Sequence, residues 1–256
     1  MAPGAWGCQF DLGVSRTATA ARPRTAEASR PAQRSASAAP AYALAWSGGK
    51  DSTLALDRAR QQGLDVRYLL NIYEGSSGRV RFHGVRRELI EGQAKALGLG
   101  LVQRHTHPDD FEKAFLAALD ELRSLEVTGI VFGNIHLADV RAWYEERTHA
   151  RGFRHVEPLW GEPPAALVAE FVRRGHRARI VSVDLKQGRR EWLGREIDDV
   201  FLRSLEESPQ VDPCGERGEY HSFAFDGPLF TRPIVVREAG TLEMEGHALL
   251  DLERVW

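Results

Sequence analysis

Apolar and polar residues alternate in two different patterns between residues 41 and 157. Short apolar runs predict β-strands at residues 42–46, 66–73, 99–103 and 128–133. Apolar residues at helical spacing predict α-helices at residues 53–59, 85–97 and 109–125. Strands that alternate with helices indicate a parallel sheet covered on both faces. We therefore predict an α/β fold whose ligands bind beyond the carboxyl ends of the strands.

The pattern changes after residue 157. Two further helices and one strand are predicted at residues 163–173, 196–205 and 179–183, respectively. From Glu219 onward the chain predicts short strands separated by turns at residues 226–228 and 239–240. The sequence therefore predicts two domains, a parallel-sheet domain at residues 41–157 and a smaller mixed α/β domain at residues 158–256.

The first forty residues differ in composition from the rest of the chain. They are rich in Ala, Ser, Pro and Arg, contain no lysine, and have Asp11 and Glu27 as their only acidic residues. Such a segment buries little apolar surface, so residues 1–40 are predicted to be a disordered tail; an organelle transit peptide is the alternative. The remaining residues carry 29 basic and 34 acidic side chains, a net charge of −5, which argues against broad nucleic-acid binding.

The apolar runs are too short for a membrane protein. No stretch of about 18 or more apolar residues occurs, so neither a spanning helix nor membrane association is predicted. The two cysteines, Cys8 and Cys214, cannot form a structural zinc site by themselves. Reduced thiols and a cytoplasmic location are the resulting expectation.

The most informative motif joins the first predicted strand to the first helix. Residues 47–52 read Ser-Gly-Gly-Lys-Asp-Ser. Paired glycines let the backbone approach an anion closely, and the first amides of the helix point towards it. Lys50 adds a positive charge, and Ser47 and Ser52 add hydroxyl donors. The motif predicts a phosphate-binding loop; an ordinary Gly-Ser turn is the alternative.

The spacing within this loop excludes a Walker A motif. That motif needs a glycine five positions before the Gly-Lys pair and Ser or Thr after the lysine, whereas this chain has Leu44 and Asp51 there. The string instead resembles the PP-loop of ATP pyrophosphatases, which cleave ATP between its α and β phosphates. The resemblance implies an adenine nucleotide alpha hydrolase-like, Rossmann-like first domain that binds ATP and Mg²⁺.

A second motif indicates which family of ATP pyrophosphatases the sequence resembles. Residues 212–223 read Asp-Pro-Cys-Gly-Glu-Arg-Gly-Glu-Tyr-His-Ser-Phe, and Asp226-Gly227-Pro228-Leu229-Phe230 follows. Together with the loop, these strings resemble the diphthine–ammonia ligase family, which carries C-G-E-x-G-E-[FY]-x-T-F and D-x-P-L-F. Further matching pieces lie, in the family's order, at residues 82–85, 93–98, 133–135, 158–160 and 192–195.

The sequence departs from the family pattern at two positions. Asn134 stands where the family commonly has aspartate, and Ser222 replaces threonine. The loss of a carboxylate at Asn134 leaves open a different carboxylate substrate or a non-catalytic ATP- or AMP-binding sensor. The excess of 30 arginines over four lysines also indicates a GC-rich genome, and a bacterial member would need a substrate other than diphthine.

The resemblance implies an ATP-dependent amide ligase. Such an enzyme adenylates a carboxylate, releases pyrophosphate and lets ammonia displace AMP; diphthine on elongation factor 2 is the family's substrate. The implied ATP-binding residues are Ser47, Gly48, Gly49, Lys50, Asp51, Ser52, His83 and Gly133. The loop groups suit the departing pyrophosphate, and the lysine is expected to be exposed and to pack against nothing.

Three acidic residues are candidate catalytic groups beside Lys50. Asp51 is a predicted catalytic residue that holds Mg²⁺ directly or through water; capping of the helix is the alternative. Glu216 and Glu219 are predicted to act on a cationic substrate or to deprotonate ammonium, with His221 nearby. A solvated turn is the alternative for this segment, and Cys214 is predicted to be a small buried residue rather than a nucleophile.

A further class of PP-loop protein is an alternative for the same motifs. A tRNA-modifying PP-loop protein would share the first domain, but such proteins usually carry paired cysteines or a basic appended domain, and this sequence has neither.

No glutaminase-like nucleophile motif is visible, so free ammonium is the predicted nitrogen donor. A homo-oligomer is compatible with the sequence.

Overall fold

The computed structural model describes residues 39–81, 83–107, 109–244 and 246–255. The predicted tail lies outside these residues except for its last two positions, and Phe82 of the family pattern lies outside them too. This part of the chain contains ten strands, which form two sheets, and six α-helices. No helix in the described ranges is long and apolar enough to cross a membrane.

The first sheet contains strands β1–β6. Its strands are β1 (Ala41–Ala45), β2 (Asp65–Glu74), β3 (Arg79–Val80), β4 (Gly100–Thr106), β5 (Val127–Val131) and β6 (Arg154–Val156). Five of them pair in parallel in the order β4-β2-β1-β5-β6, and β3 adds antiparallel to the end of β2. The chain moves outward from β1 in both directions, so the loops after β1 and β5 diverge and leave a crevice between them.

Four helices cover the two faces of this sheet. They are α1 (Lys50–Gln61), α2 (Arg87–Leu97), α3 (Phe111–Ser124) and α4 (Ala138–Ala150). Alternate residues of the central strand enter different cores: Leu44 packs with α1 and α2, whereas Ala43 packs with α3 and α4. Burial on both faces explains why the predicted strands are almost continuously apolar. This confirms the predicted parallel-sheet α/β fold.

The second sheet is antiparallel and lies in the C-terminal part of the chain. It consists of β7 (Arg177–Asp184), β8 (Tyr220–Asp226), β9 (Val236–Met244) and β10 (His247–Arg254), in the order β8-β7-β10-β9. Helices α5 (Pro164–Arg173) and α6 (Asp199–Glu206) pack on it. Its apolar residues join the same core as α1 and α2, so the predicted division after residue 157 stays a prediction.

One predicted turn is wrong. Residues 239–240 lie inside β9, and the chain reverses at Gly246 instead. Gly240 has a φ of 138°, and it pairs with Asp251 where the register between β9 and β10 shifts. A glycine inside a strand often marks such a β-bulge, and the sequence alone does not distinguish a bulge from a turn.

Asp251 connects the two parts of the chain through a partly buried ion-pair cluster. Its carboxylate accepts hydrogen bonds from Arg86 Nε and Arg79 Nη2, both at 2.9 Å. The hydrogen bond from Arg86, assisted by that from Arg79, holds the pKa of Asp251 below its ordinary value against the opposing effect of burial. The charged form is therefore favoured in the folded state.

Asp251→Asn is expected to lower the free energy of unfolding by about 1–3 kcal/mol at pH 7, because two arginines lose a charged acceptor. A lowered pKa stabilises the fold above the unfolded value of about 3.9, and this contribution is lost as the pH falls through the folded value. Urea unfolding at pH 7 and pH 3 should show a smaller difference at pH 3. The exposed pair Asp65–Arg67 supplies the control, since Asp65→Asn should change little.

A candidate active site at the end of the parallel sheet

The predicted phosphate-binding loop follows β1 and leads directly into α1. Gly48 has a φ of 87°, a conformation that L-residues rarely adopt, and α1 begins at Lys50. The carbonyl oxygen of Gly49 accepts hydrogen bonds from Ser52 Oγ at 3.0 Å and Thr53 Oγ1 at 2.9 Å. These bonds fix the first turn of the helix, whose amino end has the polarity that attracts anions.

A cavity of about 220 Å³ lies beside this loop, in the crevice between the ends of β1 and β5. Typical ligand pockets are larger, about 300–1,000 Å³, so this cavity would hold only part of a nucleotide. The C-terminal part of the chain supplies one wall. The lining residues are Ser47, Lys50, Asp51, Ser52, His83, Gly133, Asn134, Leu137, Val140, Tyr144, Cys214, Gly215, Glu216, Tyr220, His221 and Ser222.

Lys50 is not the exposed side chain that the sequence suggested. It is 3% exposed, its ammonium donates to the Cys214 carbonyl and lies 3.0 Å from Asp51 Oδ2, and it stands 4.7 Å from the centre of the Tyr220 ring. The expectation that this lysine packs against nothing was therefore wrong. Burial alone would lower the pKa of Lys50, but the charge of Asp51 raises it above its ordinary value, so the ammonium stays protonated.

The backbone of Lys50 is held by a residue that the sequence analysis assigned no role. The amide of Lys50 donates to Ser222 Oγ at 3.1 Å, across 172 positions of the chain. Ser222 and Tyr220 belong to the second motif, so that motif was the only available signal for them. Their contacts bring strand β8 against the amino end of α1.

Asp51 is a partly buried carboxylate next to the cavity. Burial raises its pKa, and the neighbouring Lys50 ammonium opposes that rise. Asp212 adds a second negative charge nearby, and its own carboxylate lies 3.1 Å from His136 Nε2. Carboxylate oxygens are the protein ligands that Mg²⁺ prefers. Among the described residues there is no group of three or more potential ligands placed to hold a metal by themselves.

Glu216 combines access to the cavity with a shifted pKa. Burial, reinforced by the negative charge of Asp51, raises its pKa to about 7, although Lys50 and a hydrogen bond from the Ile135 backbone lower it. A carboxyl group that changes charge near neutral pH is suited to accept a proton during catalysis. The catalytic role of Glu216 stays a prediction.

Glu219 is placed differently. Its side chain is buried, and its two oxygens accept hydrogen bonds from the backbone amides of Asp212 at 2.9 Å and Arg217 at 3.1 Å. It is absent from the residues that line the cavity. The position of Glu219 therefore favours an ordering role for residues 212–219 over the predicted catalytic role.

The imidazole rings of His83 and His221 form another wall of the cavity. The rings of His83 and His221 are 4.6 Å apart, and His83 Nδ1 lies 3.1 Å from the Ser222 carbonyl oxygen. Burial lowers the pKa of His83 to about 4 and that of His221 well below its ordinary value. Both rings are therefore neutral at pH 7 and offer a polar lining that adds no charge.

Gly133 and Asn134, which follow β5, contact the start of α1 and a buried polar network, respectively. A β-carbon at Gly133 would lie 3.1 Å from the backbone carbonyl of Asp51, so glycine permits close packing there. Asn134 Nδ2 donates to Glu157 Oε1 at 2.7 Å, and Glu157 also pairs with His155 and Arg141. An amide can donate this bond to Glu157, whereas an ionised carboxylate cannot, which gives the Asn134 departure a local structural reason.

Gly48→Ala is expected to destabilise the protein by about 1–3 kcal/mol more than Gly63→Ala. Both glycines have positive φ values, 87° and 76°, so both substitutions carry the backbone strain. Only at Gly48 would the new methyl group lie 2.7 Å from Ile90 Cδ1, whereas nothing lies within 4 Å at Gly63. Urea unfolding of both variants measures the difference, and equal losses of stability would contradict the tight fit at Gly48.

The fold and the cavity define a PP-loop nucleotide-binding protein, with the loop at the point where strand order reverses. The diphthamide synthase N-terminal domain matches residues 41–155, and the diphthamide synthase C-terminal domain matches residues 163–255. The chain belongs to the diphthamide synthase family. It is an ATP-dependent ligase that forms carbon–nitrogen bonds.

Curated relatives agree with this assignment. A diphthine–ammonia ligase of Danio rerio is 26% identical over 77% of this chain and 86% of its own length. The human diphthine–ammonia ligase is 32% identical over 43% of each chain, and that of Schizosaccharomyces pombe is 24% identical over 77% of this chain but only 36% of its own length.

One solved structure is also similar to the chain. It is described as a predicted subunit of tRNA methyltransferase from Methanocaldococcus jannaschii, with a TM-score of 0.42 and 16% identity. The match covers 73% of this chain and 98% of that one.

Proposed function

We propose that this chain uses ATP to adenylate a carboxylate, releases pyrophosphate, and converts the acyl-adenylate to an amide with ammonia. The relatives named diphthine–ammonia ligase support diphthine as the substrate. The family resemblance implies that elongation factor 2 carries this diphthine, and we expect the ligase to be cytoplasmic. The observation that carries the proposal is that a phosphate-binding loop with a charged lysine and a carboxyl group with a pKa near 7 face one cavity.

Adenylation is assigned to the loop and the start of α1. The substrate carboxylate attacks the α-phosphorus, and the bond to the bridging oxygen of pyrophosphate breaks. Negative charge grows on the departing pyrophosphate, which the ammonium of Lys50, the hydroxyls of Ser47 and Ser52, and the amino end of α1 would stabilise. The buried position of the lysine strengthens this interaction because little water competes with it.

The residues present fit the Mg²⁺ that accompanies ATP. Asp51 lines the cavity with a carboxylate, which would hold the ion directly or through water. Phosphate oxygens and water would supply the other ligands. When bound, the ion would neutralise phosphate charge.

Amidation is assigned to Glu216. In its ionised form this carboxylate accepts a proton from ammonium, and the resulting ammonia attacks the acyl carbon. AMP then leaves with the electrons of the acyl–oxygen bond, and the nitrogen loses a second proton to solvent or to a cavity base. His83 and His221 are neutral at pH 7 and do not compete for the ammonium proton, because their pKa values lie below that of an ordinary histidine.

The direct test incubates the full chain with ATP, Mg²⁺, ¹⁵N-ammonium and elongation factor 2 that carries diphthine. The expected products are AMP, pyrophosphate and an elongation factor with one ¹⁵N-amide, identified by mass spectrometry. Release of ADP would contradict adenylation, and tight ATP binding without turnover would favour a sensor. If AMP forms with another carboxylate but not with diphthine, the proposed reaction is supported and diphthine is rejected as its substrate.

A further inference from the structure

Gln93 is a fully buried polar side chain that the proposed mechanism does not use. It lies on α2 with 0% exposure and is absent from the residues that line the cavity. A buried amide is costly unless its donors and acceptor are paired, so its contacts indicate what it stabilises. All of them lead to the end of β1, to the phosphate-binding loop or to β8, the strand that faces the loop.

The amide oxygen and both amide hydrogens of Gln93 are used. Its Oε1 accepts from the Trp46 indole at 2.8 Å. Its Nε2 donates to the carbonyl oxygens of Gly48 at 2.9 Å and Ala224 at 2.6 Å. One side chain therefore joins the end of β1, the loop and β8.

The same contacts constrain the distance between the loop and β8. The amide of Ala224 also donates to the Gly48 carbonyl at 2.8 Å, so this carbonyl has two donors. Two positions before Ala224, Ser222 accepts the hydrogen bond from the Lys50 amide. A displacement of β8 from Gly48 would therefore also move the partner of Lys50.

We infer that Gln93 is a positioning residue for ATP, which fixes the backbone of the phosphate-binding loop and its spacing from β8 without touching the nucleotide. This inference rests on the proposed function, because it takes the loop to bind the phosphates of ATP. Catalytic geometry tolerates little displacement, and an error of about 1 Å can reduce the rate by about 100-fold. The side chain would thus control activity from outside the cavity.

Two substitutions separate this role from simple packing. Gln93→Met keeps a side chain of similar length and removes all three hydrogen bonds. Gln93→Glu keeps the acceptor for Trp46 but places an oxygen against the carbonyls of Gly48 and Ala224. A protonated glutamic acid restores one donor, so the activity of this variant relative to the native protein should increase as the pH falls.

Leu119→Ala is the matched control for lost stability. Leu119 is fully buried in the core on the other face of the sheet, among residues of α3 and α4 rather than the loop. Its truncation leaves a cavity in the core and is expected to lower the urea midpoint of unfolding. Neither the affinity for ATP nor the pH profile should change in this variant at a temperature where it is folded.

The experiment measures the binding of a nonhydrolysable ATP analogue by calorimetry and the hydrogen–deuterium exchange of residues 46–50 without nucleotide. Gln93→Met is expected to weaken analogue binding about tenfold or more and to accelerate exchange in the loop, whereas Leu119→Ala does neither. Unchanged affinity and exchange in Gln93→Met would overturn the inference. If exchange in the loop is faster in Gln93→Met but even the native protein binds no analogue, Gln93 orders the loop. ATP is then rejected as the ligand of the loop.

Discussion

Lys50→Met is expected to reduce the rate of AMP formation by about 100- to 1,000-fold, the usual effect of removing one group that stabilises charge in the transition state. The native ammonium is buried and protonated, and it lies at the amino end of α1 beside the cavity. Methionine keeps most of the side-chain volume but cannot stabilise the departing pyrophosphate. Steady-state assays of AMP release with saturating ammonium and substrate provide the measurement.

The contacts of Lys50 also predict a structural effect, which the sequence analysis did not anticipate. In Lys50→Met the carboxylate of Asp51 and the carbonyl of Cys214 lose their charged donor. A loss of about 1–3 kcal/mol of stability is expected, so activity must be compared below the unfolding transition. Lys95→Met, on the exposed face of α2, is the matched control and should retain full activity. Native-like turnover by Lys50→Met would refute the assignment of this lysine.

Glu216→Gln is expected to reduce amide formation by about 100- to 10,000-fold, the range found for general acid–base groups. The base must be ionised, and the pKa of Glu216 is about 7. The activity of the native protein should therefore increase as the pH rises through about 7, beyond the increase due to free ammonia. The ratio of native to variant activity, measured from pH 5.5 to 8.5, isolates this effect.

The same raised pKa predicts the opposite direction for stability. A carboxyl group whose pKa increases on folding binds more protons in the folded state, so its contribution to stability decreases between about pH 4.3 and pH 7. Glu216→Gln should then be at least as stable as the native protein at pH 8, which separates lost chemistry from lost folding. A native-to-variant activity ratio that is independent of pH would contradict the role of Glu216 as a base.

Glu219→Gln provides a revealing comparison because both glutamates belong to the same motif. Its two carboxylate oxygens are occupied by backbone amides, and one of these acceptors is lost in the variant. We expect lower stability in urea unfolding but an activity profile that still changes near pH 7. Loss of that pH dependence in Glu219→Gln would restore the catalytic role that the sequence suggested.

Local patterns predicted most of the fold correctly. The continuous apolar character of the strands around Leu44 and Leu69 reflects burial on both faces, which is a property of each segment and its neighbours. The bulge at Gly240 was misassigned as a turn because its conformation depends on pairing with Asp251 in another strand. Glycine alone signals an unusual backbone but not its cause.

Sequence by itself determined the α/β class, the position of the loop between the first strand and the first helix, and the family, because these depend on short ordered strings such as residues 47–52 and 212–223. Only the tertiary structure decided which residues of those strings face the cavity. The burial of Lys50, the shifted pKa of Glu216 and the inward bonds of Glu219 arise where segments more than 70 positions apart, or loops folded back on themselves, exclude water from charged groups. Desolvation and pairing are properties of that packed arrangement, so they cannot be assigned to a residue before its neighbours are known.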